Sequence, residues 1–280
     1  MTEKIAIIIP VHPPHFHYIY NLIKKTSKLM TFIDFVIVFS NNSDYSSFTE
    51  KDKIKEIIIP ENTNTGNIIS FKKLYALEQF KTIRIYDYFI ICDAEIDIIP
   101  ENFTQHNIIN KINNIFKNKI IYAGNYTPDF IKNIIKMCCE KFIDDLDKLK
   151  EITKNYTLYY WWSDLPVYKY EHLVSFFDKV DYTDIKHEHF DNLLYINYLL
   201  LYHDFTLLNI TPLLNIKWSL EGFNTNNVED LNILKKNHYG FSFVIPWFFY
   251  NYKDYLMNEG TFLLYHFDRY FLANPGWQPR

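Results

Sequence analysis

The stretch YFIICDAEIDIIP, Tyr88 to Pro100, sets an unbroken apolar run directly before three acids, Asp93, Glu95 and Asp97, at every second position. In an extended chain alternate side chains share a face, so the three carboxylates would line up while Ala94, Ile96 and Ile98 point the other way. A run that is apolar at successive positions is what a strand buried on both faces requires, and such strands belong to parallel sheets covered by helices on both sides. On that reading the strand leaves the sheet where Asp93 begins, and the acids stand at its carboxyl end.

The flanking segments repeat the pattern. KIAIIIP (4–10), FVIVFS (35–40) and IKEIIIP (54–60) read as strands, alternating with helical spacing at about 15–29 and over NIISFKKLYALEQF (67–80). This alternation predicts an α/β fold with a mostly parallel sheet flanked by helices. Downstream, 101–117 and 128–150 read as helices with the strand KIIYAG (119–124) between them. There follow YYWWSDLPVY (159–168), a helix near 170–178, a longer one near 185–203, the strand TLLNI (206–210) and a last strand GTFLLYHF (260–267). No Ser/Gly linker and no repeat interrupts the chain, so one continuous domain is expected over 1–280, its first half (about 1–125) beginning a ligand site that its second half (about 126–280) completes.

The 280 residues carry a net charge of −4, which gives no electrostatic reason to bind nucleic acid. No apolar run reaches the roughly 20 residues of a membrane span, and MTEKIAIIIPVHPP lacks the small-residue cleavage site of a secretion signal. Cys92, Cys138 and Cys139 form no C-x-x-C pair, which argues against a disulfide framework or a zinc site and for a reducing, cytoplasmic setting. Aromatic residues make up 19% of the chain, but Ile, Lys, Asn, Tyr and Phe are also the residues an AT-rich gene favours. The scarce residues therefore weigh more: there are 6 glycines, and the arginines are Arg84, Arg269 and Arg280.

In open sheets of this class the ligand sits in the crevice beyond the carboxyl ends of the strands. The polar residues expected there are Pro10-Val11-His12, the run Ser40 to Asp44, the turn Asn62 to Asn67, and the acids. Three readings compete for Asp93, Glu95 and Asp97. They form a solvated strand face, they hold a divalent cation such as Mg²⁺ or Mn²⁺ through hard oxygen ligands, or two of them act as an acid/base pair on a sugar.

An N-terminal apolar strand ending in P-V-H, a glycine-poor αβ half, and an apolar strand ending in Asp93-Ala94-Glu95 together resemble the GT-A class of nucleotide-sugar glycosyltransferases. Asp93-Ala94-Glu95 stands for that class's D-x-D motif with Glu in place of the second Asp, and NTGNIISFKKLYAL resembles the segment that precedes it. The resemblance covers roughly the first 125 residues and loosens afterwards. It implies a Mn²⁺ or Mg²⁺ ion held by Glu95 with Asp93 or Asp97, bridging the diphosphate of a donor for which UDP is the favoured carrier. Carried over by position, Pro10, Val11 and His12 lie near the base, Asn42 or Asp44 faces the uracil or ribose, and Asn64, Gly66 and Lys72 or Lys73 lie near ribose or phosphate. Asp93 would face the ribose or the sugar.

In the second half, Glu188 and Asp191 lie three apart on one helical face. The resemblance implies an acidic pair that deprotonates the acceptor hydroxyl there, with His189 standing where the second acid is expected. Glu188, His189 and Asp191 are thus candidate bases, and the alternative is charge complementing a helix N-terminus. His266 matches a late metal-binding histidine, and Arg269 is placed to meet the diphosphate. Trp161, Trp162 and Asp164 fall on the acceptor side, where a glycan or other hydroxyl compound would bind. Two other functions remain beside this one: a nucleotidyltransferase, although PVHPPHFHYIY lacks that class's glycine-rich loop, and a non-catalytic sugar-binding protein.

Overall fold

A computed structural model describes residues 3–27, 32–61, 63, 68–99, 101–124, 129–160, 165–209, 243–244 and 263–266. In chain order the strands and α-helices are β1 (Ile5–Val11), α1 (Phe16–Thr26), β2 (Ile33–Phe39), α2 (Asn42–Ser47), β3 (Lys55–Ile58), α3 (Ile69–Glu78), β4 (Tyr88–Ile91) and β5 (Ile96–Ile98). Then come α4 (Gln105–Asn118), β6 (Ile120–Gly124), α5 (Asp129–Glu140), α6 (Leu146–Ile152), β7 (Tyr159–Tyr160), β8 (Val167–Lys169), α7 (Leu173–Lys179), α8 (Asp191–Tyr202), β9 (Thr206–Asn209), β10 (Phe243–Val244) and β11 (Leu264–His266).

The central sheet runs β3-β2-β1-β4-β8. Its first four strands are parallel, and β8 closes the edge antiparallel to β4. Alternate residues feed two cores. Ala6, Ile8, Val36, Val38, Phe89 and Ile91 pack on one face with Phe71, Leu74 and Leu77 of α3 and with α5, α7 and α8. Ile5, Ile7, Ile9, Phe35, Ile37, Phe39 and Ile90 pack on the other with Phe16, Ile19, Leu22 and Ile23 of α1 and with α4. This is the α/β class, mostly parallel and helix-flanked, that the doubly apolar runs predict.

The strand order also locates a switch point. From β1 the chain steps outward through β2 and β3, then returns through α3 to β4 on the opposite side of β1. The segments after β1 and β4 both lead onto the face that carries α1, β5 and α4. Their first residues meet beyond the carboxyl ends of the strands, where the strand order reverses and open sheets of this class hold their ligands in a crevice.

Strand β4 leaves the sheet at the acids, as its sequence implies: Cys92 still donates its N–H to Ile8, the chain then bends at Ala94 and Glu95, and β5 joins a separate sheet in the order β10-β11-β5. Two expected elements differ. The helix expected over 128–150 is broken after α5, where the chain turns to bury Phe142 and lets Lys141 pair with Asp184, before a 3-10 turn leads into α6. The helix expected from 185 starts at Asp191, because competing local bonds hold 181–190 in turns. Asp181 accepts from the Thr183 amide (2.9 Å) and hydroxyl (2.7 Å), His189 Nδ1 accepts from the Lys186 amide (2.8 Å), and the Phe190 amide donates to Cys138 Sγ (3.3 Å). Among the described residues no helix is long and apolar enough to cross a membrane.

Candidate functional site

The crevice is walled by segments far apart in sequence. After β1, Pro10 and Val11 are buried strand positions and His12 is the first exposed residue. A 3-10 turn over Pro13–His15 follows, with prolines supplying the fixed φ of its first positions. It sets the His12 and His15 rings 3.8 Å apart and brings His15 Nδ1 to 2.9 Å from Glu95 Oε1. Burial, and then the neighbouring His15, hold His12 below the ordinary histidine range. After β2, the Asn41 side chain caps α2 by accepting from the Asp44 amide at 2.8 Å, which fixes Asp44 at the crevice while Asn42 stays exposed.

Helix α3 delivers two adjacent buried lysines, Lys72 and Lys73, from its N-terminal half. Consecutive helical residues point about 100° apart, so the two diverge. Lys72 Nζ donates to Ser40 Oγ at 2.6 Å, at the end of β2. Burial pulls its pKa down, opposed by the charge of Asp44. Lys73 reaches the end of β4 instead: its Nζ lies 2.8 Å from Asp93 Oδ1 and 3.4 Å from Asp191 Oδ1. Burial acts to lower the Lys73 pKa, but Asp191 and Asp93 outweigh it, and the ammonium is held above the ordinary lysine range. Asp191, at the first position of α8, is completed by Ser70 (hydroxyl to Oδ1, 3.3 Å) and Tyr168 (hydroxyl to Oδ2, 3.3 Å). Burial raises its pKa against the pull of Lys73.

The bend after β4 sends the three acids to three different partners. Asp93, 30% exposed, faces Lys73; Glu95, 18% exposed, faces His15. Asp97 is buried, accepts from the Ile98 amide at 2.8 Å and pairs with Lys25 of α1. The common face expected for the three carboxylates is thus a correction: a shared face needs continuous extended chain, and the chain is not extended at Ala94 and Glu95. The even-numbered residues do keep together, since Cys92, Ala94, Ile96 and Ile98 enter one core.

The three candidate bases are also separated. Asp191 joins the crevice through Lys73, Ser70 and Tyr168. His189 is buried, with its Nδ1 turned to the Lys186 amide, and burial and then Lys141 lower its pKa. The Glu188 carbonyl sits against Cys138 of α5, at 3.6 Å. His266 is a strand position opposite Ile96, one residue from Glu95. Asn64, Gly66, Trp161, Trp162, Asp164 and Arg269 lie outside the described residues. Ser40 belongs to the expected run Ser40 to Asp44, whereas His15, Ser70 and Tyr168 join the site without having been expected there; for His15, its spacing from His12 around two prolines is a sequence signal that could have found it.

The donor chemistry fits a hard divalent cation at the crevice mouth. Asp93 and Glu95 offer carboxylate oxygens there, whereas Asp97 is spent on Lys25. Among the described residues no three His, Cys, Asp or Glu side chains form a ready-made cage. Mg²⁺-like ions are typically held by one or two carboxylates, with water and substrate phosphates filling the shell; Asp93 and Glu95 supply that ligand type, each facing a different side chain, Lys73 and His15.

No family model matches the chain, and no curated protein matches it by sequence. Among solved structures it is similar to S. aureus TarS residues 1–349 (15% identity, TM-score 0.29, covering 45% of this chain and 37% of that one). It is likewise similar to S. aureus TarS in a second crystal structure (14%, TM-score 0.30, 44% and 22%) and to TarS 1–349 in complex with UDP-GlcNAc (15%, TM-score 0.29, 46% and 38%). The chain spans well under half the length of these structures.

Proposed function

We propose that the chain is a GT-A-type glycosyltransferase that moves a sugar from a nucleotide donor, with UDP as the favoured carrier, to a hydroxyl acceptor such as a glycan. One observation carries this reading. The switch point between β1 and β4 gathers His12, Asp44, Lys72, Asp93 with Glu95, and Asp191 from five separate segments onto one edge of the sheet. An open α/β sheet binds nucleotides at that place.

Asp93 and Glu95 would hold Mn²⁺ or Mg²⁺, and the ion, when bound, supplies the positive charge that stabilises a leaving diphosphate. The chain's own residues do the rest. His12 and Asp44 border the end of β1 and β2, where the base and ribose would lie. Lys72, buried with its ammonium on Ser40, supplies a positive charge beside them. Asp191 is the one candidate base on the crevice floor. Its raised pKa suits an acid that accepts a proton from an acceptor hydroxyl, provided the donor or acceptor displaces Ser70 or Tyr168 from it.

Calorimetric titration of UDP with and without Mn²⁺ tests the reading. Mn²⁺-dependent binding is expected, and Glu95→Ala weakens it by at least about tenfold, roughly 1.4 kcal/mol. Unchanged affinity in that variant sinks the proposal. Release of free UDP across a panel of donor sugars then separates an enzyme from a sugar-binding protein.

A further inference from the structure

Lys73 was a candidate phosphate ligand by position, yet its side chain is 3% exposed and lies between two acids from different halves of the chain. Asp93 belongs to the bend after β4; Asp191 opens α8, 98 residues later in the sequence. An ammonium this deeply buried is opposed by desolvation, so its placement needs both carboxylates. Lys72, the neighbouring residue, is the lysine that points toward the β1 and β2 side of the crevice. Two adjacent lysines therefore divide the work.

We propose that Lys73 is a positioning residue: it makes no contact with donor phosphate, and instead holds Asp93 aimed at the crevice mouth by anchoring it to Asp191 on α8. Without the ammonium, Asp93 and Asp191 repel, and the Lys73 bridge from the bend at 93–95 to the helix is lost. The consequence is a donor site whose carboxylate geometry depends on a residue the donor never touches. This rests on the donor crevice proposed above for its effect on binding, while the hold on Asp93 is a property of the protein alone.

The test uses the full chain as wild type, Lys73→Met, Lys73→Arg and the double variant Lys73→Met with Asp191→Asn. In the wild type the trio carries one positive and two negative charges; the double variant keeps the same net −1, so it folds even if Lys73→Met does not. Two readouts are taken on each: amide hydrogen exchange over residues 92–99, and UDP affinity in Mn²⁺. In the double variant the melting temperature returns toward wild type, yet exchange at 92–95 stays at least about tenfold faster and UDP binds at least about tenfold more weakly. Lys73→Arg restores part of both. Wild-type exchange at 92–95 in a variant lacking the ammonium overturns the inference, as does UDP affinity that recovers together with the melting temperature. A wild-type chain that binds no UDP with any divalent cation refutes the glycosyltransferase reading instead, and the exchange arm then decides on Lys73 by itself.

Discussion

At one end of α8, Asp191 shares the Lys73 ammonium with Asp93; at the other, roughly 18 Å along the axis for 12 residues, His203 stacks on His172 with ring centroids 3.9 Å apart. Both ends bury titratable groups, but by opposite means. The crevice end keeps its groups charged and balances them against one another. The far end keeps them neutral and satisfies them with hydroxyls: His172 Nδ1 meets the Tyr195 hydroxyl at 2.8 Å, His203 Nε2 meets that of Tyr198 at 2.7 Å, and Ser175 bonds to Tyr198. A neutral hydrogen-bonded cluster is the economical way to bury polar atoms. Charges are retained where electrostatics toward a ligand matter, which is why the crevice end, and not the other, reads as the site.

The comparison breaks first at Asp191. Asp191→Ala leaves the Lys73 charge with one acid fewer and removes the acceptor of the Ser70 and Tyr168 hydroxyls. Breaking a buried charge network in this way typically costs about 3–5 kcal/mol, read as a lower urea midpoint. A loss below about 1 kcal/mol, the scale of an exposed pair, would mean that the charges at this end are no more strongly engaged than surface ones.

At the far end the expected lever is pH. Burial, then the neighbouring His203, pushes His172 down to about 3, and burial lowers His203 as well. The other charges facing the pair are Lys119, Lys169, Glu171 and Asp204. With a folded pKa below the unfolded value near 6.5, the unfolded chain takes up the proton first. The stabilisation is therefore complete above about pH 6.5 and is lost as pH falls toward 3, by about 2 kcal/mol near pH 4.5 after allowance for partial solvation. Unfolding midpoints from pH 7 to 4.5 measure it. His172→Phe should flatten that slope, and a slope as steep as wild type would place the acid sensitivity elsewhere.

The two ends differ too in how much of them the sequence disclosed. Buried parallel strands leave runs such as IAIIIP and FVIVF that no solvent-facing strand would carry, so β1, β2, β4 and the crevice edge were legible. Asp93 and Glu95 were found because they follow such a run. The bend that parts them from Asp97 was not, because it depends on β5 pairing with β11, some 168 residues away between Asp97 and Tyr265. The later start of α8 was hidden for a similar reason: Asp181, His189 and Cys138 capture the amides of Thr183, Lys186 and Phe190, and Cys138 comes from another helix. The histidine–tyrosine cluster left no pattern at all, since its members meet only when β8, α7 and α8 pack.

Tyr168 links the ends, and its loss should be felt at both on a smaller scale. Its hydroxyl donates to Asp191 and its ring stacks on Tyr195 at 4.0 Å. Tyr168→Phe keeps the stack and removes one hydrogen bond to a carboxylate, for a loss of about 1–2 kcal/mol with the acid slope of the far end unchanged. The smallest effect is expected at Glu188. It stands in the turn before α8, with its backbone carbonyl against Cys138 of α5, whereas Lys73 bridges Asp93 and Asp191. Glu188→Gln should therefore alter stability by no more than about 0.5 kcal/mol, as a substitution outside any network does, and leave UDP affinity and sugar transfer intact. Loss of transfer with UDP affinity retained would move the proton-accepting role from the buried Asp191 to Glu188, and the charged end of α8 would then serve the donor alone.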